Sequence, residues 1–197
     1  MDSRAFSATV FPVTVEQAYL AFATVLADNL AYTGQGITPP VMVISDNGLI
    51  LTEGVHYRLA YDDNIRCGIG RVEITGIGAC ENPDAPGPIV DYFAIVPASP
   101  EIASLSAQNG EFRLSVADLS ETGADGYEAR YRMKGSTEWI SASFEPGQTD
   151  LAVSGLAAGE YEVQVCAFVD NSSASVPEGL KTVTRGSYGN ICSVVVP

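Results

Sequence analysis

Histidine is almost missing from this chain, which has only His56. A Ser-His-Asp or Cys-His nucleophile therefore has a single residue from which to draw its base, and a zinc site has no second imidazole. His56 falls on the polar side of the alternation Val55-Tyr57-Leu59, so it reads as an exposed strand residue rather than a catalytic one. Lysine is nearly as scarce: Lys134 follows a strand in a turn and Lys181 lies in a loop. Neither reads as buried, which argues against an internal isopeptide bond. Trp139 is the only tryptophan.

No CxxC pair occurs, and no apolar run reaches the roughly 18–20 residues that a membrane span needs. The longest apolar stretch, residues 18–27, follows Glu16 and Gln17 instead of a basic flank, so it does not read as a signal peptide. The chain therefore reads as an excerpt of a longer secreted protein. Lys and Arg number 10 against 24 Asp and Glu, a formal net charge of −14. Such a chain repels phosphate backbones and anionic bilayers, so nucleic-acid binding and membrane insertion are not expected. The acidity more simply gives solubility.

Three acidic or glycine-rich features bear on chemistry. The run Cys67-Gly68-Ile69-Gly70 has no following helix and no lysine, so it does not cradle phosphate. Asp62-Asp63-Asn64 lacks EF-hand spacing and reads as the turn that ends a strand. With 24 acids, no context singles out a carboxylate pair for glycoside hydrolysis. No cofactor, no metal and no enzymatic activity are expected.

What the chain does have is apolar material and turns. Hydrophobic residues make up 46% and charged residues 17%, with 19 Gly and 11 Pro. That is enough for a core and too little charge for a disordered chain. Period-2 alternation dominates, and no helical period is sustained in the first half. Residues 5–16, with Val10, Pro12 and Val13 near the centre, read as a strand, and Phe22 to Leu26 as an apolar segment. Val41 to Ile44 reads as a strand, Ser45-Asp46-Asn47-Gly48 as a turn, and Leu49 to Leu51 as the strand's resumption. Val55 to Tyr61, Ile69 to Thr75 and Tyr92 to Val96 complete the first half.

The second half centres on Leu156 to Ala167, a tight turn and then a strand with Tyr161, Val163, Val165 and Ala167 on one side. Further strands are expected at Ile102 to Leu105, Glu111 to Val116, Gly126 to Met133, Trp139 to Phe144, Asp150 to Ser154, Tyr161 to Val169 and Ile191 to Val196. Their near-regular spacing suits a β-sandwich. The fold class is all-β, two sandwiches in tandem, with the short linker Pro97-Ala98-Ser99-Pro100 between them.

In the first half, Tyr32-Thr33-Gly34, Ile37-Thr38-Pro39, Leu51-x-x-Gly54-x-x-Tyr57, Asp63-Asn64, Gly76-Ile77-Gly78 and Phe93-x-Ile95 occur in that order. With these motifs, residues 21–97 resemble a bacterial surface Ig-like repeat, found in tandem arrays in secreted proteins of Gram-positive bacteria. The departures are Cys80, where the family tends to an aromatic residue, and the Pro-rich loop after it. The resemblance implies that residues 1–20 are the leftover final strand of a preceding repeat. In the second half, Gly126-Tyr127-Glu128-x-x-Tyr131-Arg132, Leu156-x-x-Gly159-x-Tyr161 and Tyr188-Gly189 make residues 98–197 resemble a fibronectin type III domain. It departs at Val116, where that family usually places a Trp, and in the long loop from Asp170 to Ser187. The resemblance implies that Tyr161 forms a tyrosine corner.

Two side-chain sets remain. A hairpin pairing Asp170 with Tyr188 sets Cys166 opposite Cys192, at the spacing of about 4.5–5.5 Å from which a disulfide can form; this pair is the disulfide candidate. Cys67 and Cys80 are separated by a strand of about seven residues, roughly 23 Å, and are poorly placed to join. Trp139 and Tyr188 are the candidate ligand platform, because aromatic faces suit the apolar faces of sugars. Arg130 and Arg132 are expected on the solvated sheet face. The combined expectation is a non-catalytic structural and adhesion module of an extracellular bacterial surface or secreted protein, acting as a spacer with weak binding surfaces. Its expected partners are neighbouring domains, with a host matrix protein or glycan as further candidates. The alternative is an accessory carbohydrate-binding module of a secreted polysaccharide-degrading enzyme.

Overall fold

The computed structural model describes residues 18–27 and 29–197. The strand expected over residues 5–16, and most of the 1–20 segment, lie outside the described residues. Among those described, the fold is strands and turns, and the helical pieces are 3-10 turns of three residues each.

The first core is built from β1 (Leu20–Val25), β2 (Asn29–Ala31), β3 (Val41–Ser45), β4 (Tyr57–Asp62), β5 (Gly68–Gly76) and β6 (Ile89–Val96). β1 and β3 pair antiparallel, and the other four form a sheet ordered β2-β6-β5-β4, with β2 parallel to β6. β5 alternates buried with half-buried positions, so Val72 and Ile74 point inward. They meet Phe93 and Ile95 of β6 and Val25 and Val43 of the smaller sheet. Each such side chain contributes about 1.5–3 kcal/mol on burial.

Polar ties fix the two sheets. The Asp91 carboxylate accepts from the Val25 amide at 2.7 Å. Tyr61 donates to the Pro39 carbonyl at 2.6 Å and Tyr57 to the Val41 carbonyl at 3.3 Å. Asn64 donates from its side chain to the Ile37 carbonyl at 3.0 Å, and the Ile37 amide donates back to the Asn64 carbonyl at 2.8 Å. The motif residues around Ile37-Thr38-Pro39, Tyr57 and Asn64 thus meet at one seam.

Two details differ from the sequence reading. Leu49 to Leu51 does not resume as a strand but makes an isolated bridge from Ile50 to Ile44. Val55 is 63% exposed, because β4 begins at Tyr57 and the preceding residues form a turn. His56 belongs to that turn, half-buried, with Nδ1 accepting from the Thr52 amide at 2.9 Å.

The second core uses β7 (Ile102–Gln108), β8 (Glu111–Val116), β9 (Gly126–Met133), β10 (Ile140–Ser143), β11 (Asp150–Ser154), β12 (Gly159–Asp170), β13 (Val183–Arg185) and β14 (Cys192–Val196). One sheet runs β11-β8-β7. The other runs β10-β9-β12, with both β13 and β14 on the far side of β12. Phe112, Leu114, Ala129, Val163, Val165 and Ala167 fill the space between them. The Tyr161 hydroxyl donates to the Ala157 carbonyl at 3.2 Å, closing the turn that starts β12 as a tyrosine corner. This is an Ig-like, fibronectin-III-like sandwich.

β12 organises this sheet. It pairs with β9 from Tyr161 to Phe168, with β14 near its start and with β13 near its end. β13 was not expected, and it overturns the disulfide pairing. Asp170 pairs with Val183, not Tyr188, and Val163, not Cys166, lies opposite Cys192. Between the two ladders only the Gly186 and Gly189 amides bond to β12, at the carbonyls of Ala167 and Val165. Gly186 keeps the β13 register, and the offset slips by one residue at Gly189 and by one more before Cys192, as irregular edge segments do. Cys166 and Cys192 are free, as are Cys67 and Cys80.

Candidate inter-module junction and sheet-face ladder

Two features join or display functional side chains. The first is where the two cores meet. Asp118 starts it: its carboxylate accepts from the Ser120 amide at 2.9 Å, and these bonds hold its pKa below the ordinary carboxylate value. Tyr127, whose phenol is lifted chiefly by burial, accepts from the Leu119 amide at 2.6 Å. Thr122 donates to the Leu119 carbonyl at 2.6 Å. The 3-10 turn Ser120–Thr122 then ends at Gly123, whose φ of 98° is left-handed.

This turn presents main-chain carbonyls to the first module. The Cys67 amide donates to Thr122 O at 2.8 Å, and Arg66 Nη2 donates to Ser120 O at 3.1 Å. The Cys67 thiol lies 3.9 Å from the Thr122 hydroxyl, and burial pushes that thiol's pKa up. A Cβ at Gly123 would come 3.1 Å from the Cys67 carbonyl oxygen, so only glycine fits both the dihedral and the space. Behind it, the buried Asn171 donates to the Thr182 carbonyl at 2.7 Å and the Thr184 hydroxyl at 2.9 Å, pinning the long loop beside Gly68.

A second zone clamps the linker. Ser99 donates to the Ser187 carbonyl at 2.6 Å. Gly186 lies against the Pro97 carbonyl so closely that any side chain would collide, and Pro97 and Pro100 are buried. The linker is therefore gripped along its length by residues 186–189.

The second feature is a ladder on the outer face of the five-stranded sheet of the second core. Arg130 and Arg132 point outward from β9. One step beyond the Ile140–Tyr131 pair, Trp139 comes opposite Arg132. The guanidinium carbon of Arg132 is 4.4 Å from the Trp139 ring centroid and that of Arg130 is 4.6 Å. Arg130 also lies 3.9 Å from the Tyr188 ring centroid. Such stacks contribute about 0.5–2 kcal/mol each.

Salt bridges accompany the ladder. Arg132 pairs with Glu162 at 2.7 Å, Lys134 with Glu160 at 2.8 Å and Arg185 with Glu128 at 3.2 Å. Arg130 instead donates from Nε and Nη2 to the Gln164 amide oxygen, at 3.1 and 2.8 Å. Tyr188 donates to Glu128 at 2.9 Å. Burial, then the bond to Glu128, raises the Tyr188 phenol well above its ordinary range. Beneath it Cys166, fully covered, has its thiol pushed up by the same burial.

The structure thus brings Trp139, Tyr188 and Cys166 to one face and leaves Cys192 off it. Trp139 and Tyr188 share Arg130 instead of forming an open platform. The junction residues Thr122, Gly123 and Asn171 carry no sequence motif, and Cys67 is read from the sequence only for a phosphate cradle and a disulfide. The signals that could have found them were Gly123 after an Asp-x-Ser turn and the length of the loop after Asp170. Among the described residues, no group of three or more His, Cys, Asp or Glu is placed to hold a metal ion, and no helix is long and apolar enough to cross a membrane.

No protein-family model matches the chain, and no curated protein matches it. Among solved structures, it is similar to the crystal structure of chicken CNTN1 FN1-FN3 domains, with 12% sequence identity and a TM-score of 0.39. That match covers 92% of this chain and 66% of the other, so this chain spans just under two thirds of its length. A likeness this remote carries no argument about function.

Proposed function

We propose that this chain is a non-catalytic structural and adhesion module of an extracellular bacterial protein, secreted or attached to the cell surface, and that its work is to hold neighbouring domains at a fixed spacing and angle. The observation that carries the reading is the junction, where Cys67 and Arg66 of one module bond main-chain carbonyls of the other. Each such bond contributes on the order of 1 kcal/mol net. Together with the clamped linker, they oppose the bending that a short linker alone would permit. The bacterial and surface assignment rests on the sequence motifs of residues 21–97.

Small-angle X-ray scattering with NMR relaxation tests the spacer. The expected outcome is one scattering envelope and one tumbling time for both modules. Separate tumbling times would sink it. The accessory glycan-binding reading draws on Trp139 and Tyr188 sharing a face. It is less favoured because both rings already stack on arginine, so a sugar has to compete with a guanidinium. A glycan and matrix-protein screen in which a salt-resistant hit disappears in Trp139→Ala would reverse that preference.

A further inference from the structure

The sheet-face ladder and the junction are connected through one residue. The segment 186–190 runs along the linker, with Ser187 O taking the Ser99 hydroxyl and Gly189 facing Pro100. It pairs poorly with β12, through the Gly186 and Gly189 amides and one bond from the Gln164 side chain to Gly189 O at 2.6 Å. Ser187 and Asn190 are exposed, and the other two residues are glycines. Tyr188 is therefore the one side chain of the segment that packs onto the sheet. Its ring lies on Arg130, and its hydroxyl bonds Glu128, the cross-strand partner of the fully buried Cys166.

We propose that Tyr188 is a latch that couples the outer sheet face to the inter-module linker. When its ring leaves Arg130 and its hydroxyl leaves Glu128, residues 186–190 lift, the grip on residues 97–100 is lost, the modules bend, and the Cys166 thiol is uncovered. The proposal rests on the spacer reading, since a latch has meaning only where the junction is otherwise stiff. It also implies antagonism. A group that stacks on Arg130 or bonds Glu128 does so at the expense of Tyr188, so occupancy of this face and a fixed inter-module angle oppose each other, and by linkage the effect runs both ways.

Positions in the other module supply a control. Cys80 lies in the first core, away from the ladder, and is as well buried as Cys166. The full chain is treated with a maleimide under native conditions and each thiol is followed by mass spectrometry, alongside small-angle scattering. In Tyr188→Ala the expected result is labelling of Cys166 about tenfold or more faster, as for a local opening, with Cys80 unchanged and a broadened scattering envelope. Tyr188→Phe, which keeps the ring and loses the Glu128 bond, is expected to fall between. Equal acceleration at Cys166 and Cys80 would mean general loss of stability and overturns the latch. A Tyr188→Ala protein as rigid and as protected as the wild type overturns it too, while leaving the spacer reading intact. A wild type that already bends freely overturns the spacer reading itself.

Discussion

The amide of Cys67 in one module donates to the carbonyl of Thr122 in the other at 2.8 Å. The two residues face each other because Gly123 turns the chain with a left-handed φ of 98° and leaves room for the Cys67 carbonyl. Gly123→Val forces a β-branched residue into that conformation and against that oxygen. It is expected to cost about 1–3 kcal/mol. The measurement is the midpoint of urea unfolding, with a second readout in scattering, where the two modules should become less fixed. An unchanged midpoint and envelope would contradict the junction as described.

Tyr161 anchors the turn that opens β12. Tyr161→Phe keeps the ring in the core and removes the bond to Ala157 O, leaving that carbonyl to water or to nothing. A loss of about 0.5–1.5 kcal/mol is expected, seen as a lower urea midpoint at unchanged slope.

Burial is the first cause raising the phenols of Tyr57, Tyr61, Tyr127 and Tyr188 above their ordinary value near 10. In the unfolded chain these groups ionise first. The stability they contribute is therefore fully present below about pH 10. It is lost as pH rises from there through the higher folded-state values. Circular-dichroism melts between pH 7 and 12 should be flat with respect to tyrosine up to about 10 and fall steeply above it. Absorbance at 295 nm should show these phenols ionising only as the fold is lost. Early ionisation without unfolding would contradict their burial.

All four cysteines are free. Thiol titration of denatured, unreduced protein should find four. In the native protein the half-buried Cys192 should react first, with Cys80 and Cys166 protected. Finding two thiols in the denatured chain would show one bridge and contradict the four free cysteines.

Much of the strand pattern was legible in the sequence. Glu111–Val116, Gly126–Met133 and Asp150–Ser154 are strands as read, because each carries clean period-2 alternation between turn residues. Asn29–Ala31 and Val183–Arg185 were invisible. At three residues each they have no period to detect, and their partners on β6 and β12 decide that they are strands. The failed disulfide has the same origin. Register depends on where a ladder is interrupted, and β13 with the glycine-bearing steps after it interrupts this one. The outward direction of Arg130 and Arg132 follows from alternation, and Trp139 and Tyr188 stand out in the sequence as a candidate ligand platform. Their meeting on Arg130 is a tertiary contact between residues far apart in the chain. Alternation puts Cys166 on the face opposite Tyr161, Val163, Val165 and Ala167, yet it is covered, because alternation says which face a residue takes and not what lies over it.

In the junction and along the linker, the nitrogen and hydroxyl donors go to main-chain oxygens: Thr122 O, Ser120 O and Ser187 O. Every residue type supplies that atom. Sequence can therefore drift at Ser120 and Ser187 without changing the angle between modules, as long as small residues remain where backbones touch, whereas Thr122 also uses its hydroxyl. Selection on such a protein should look uneven. The surfaces would diversify, while Gly123 and Gly186 stay fixed and carry an inherited geometry from one variant to the next.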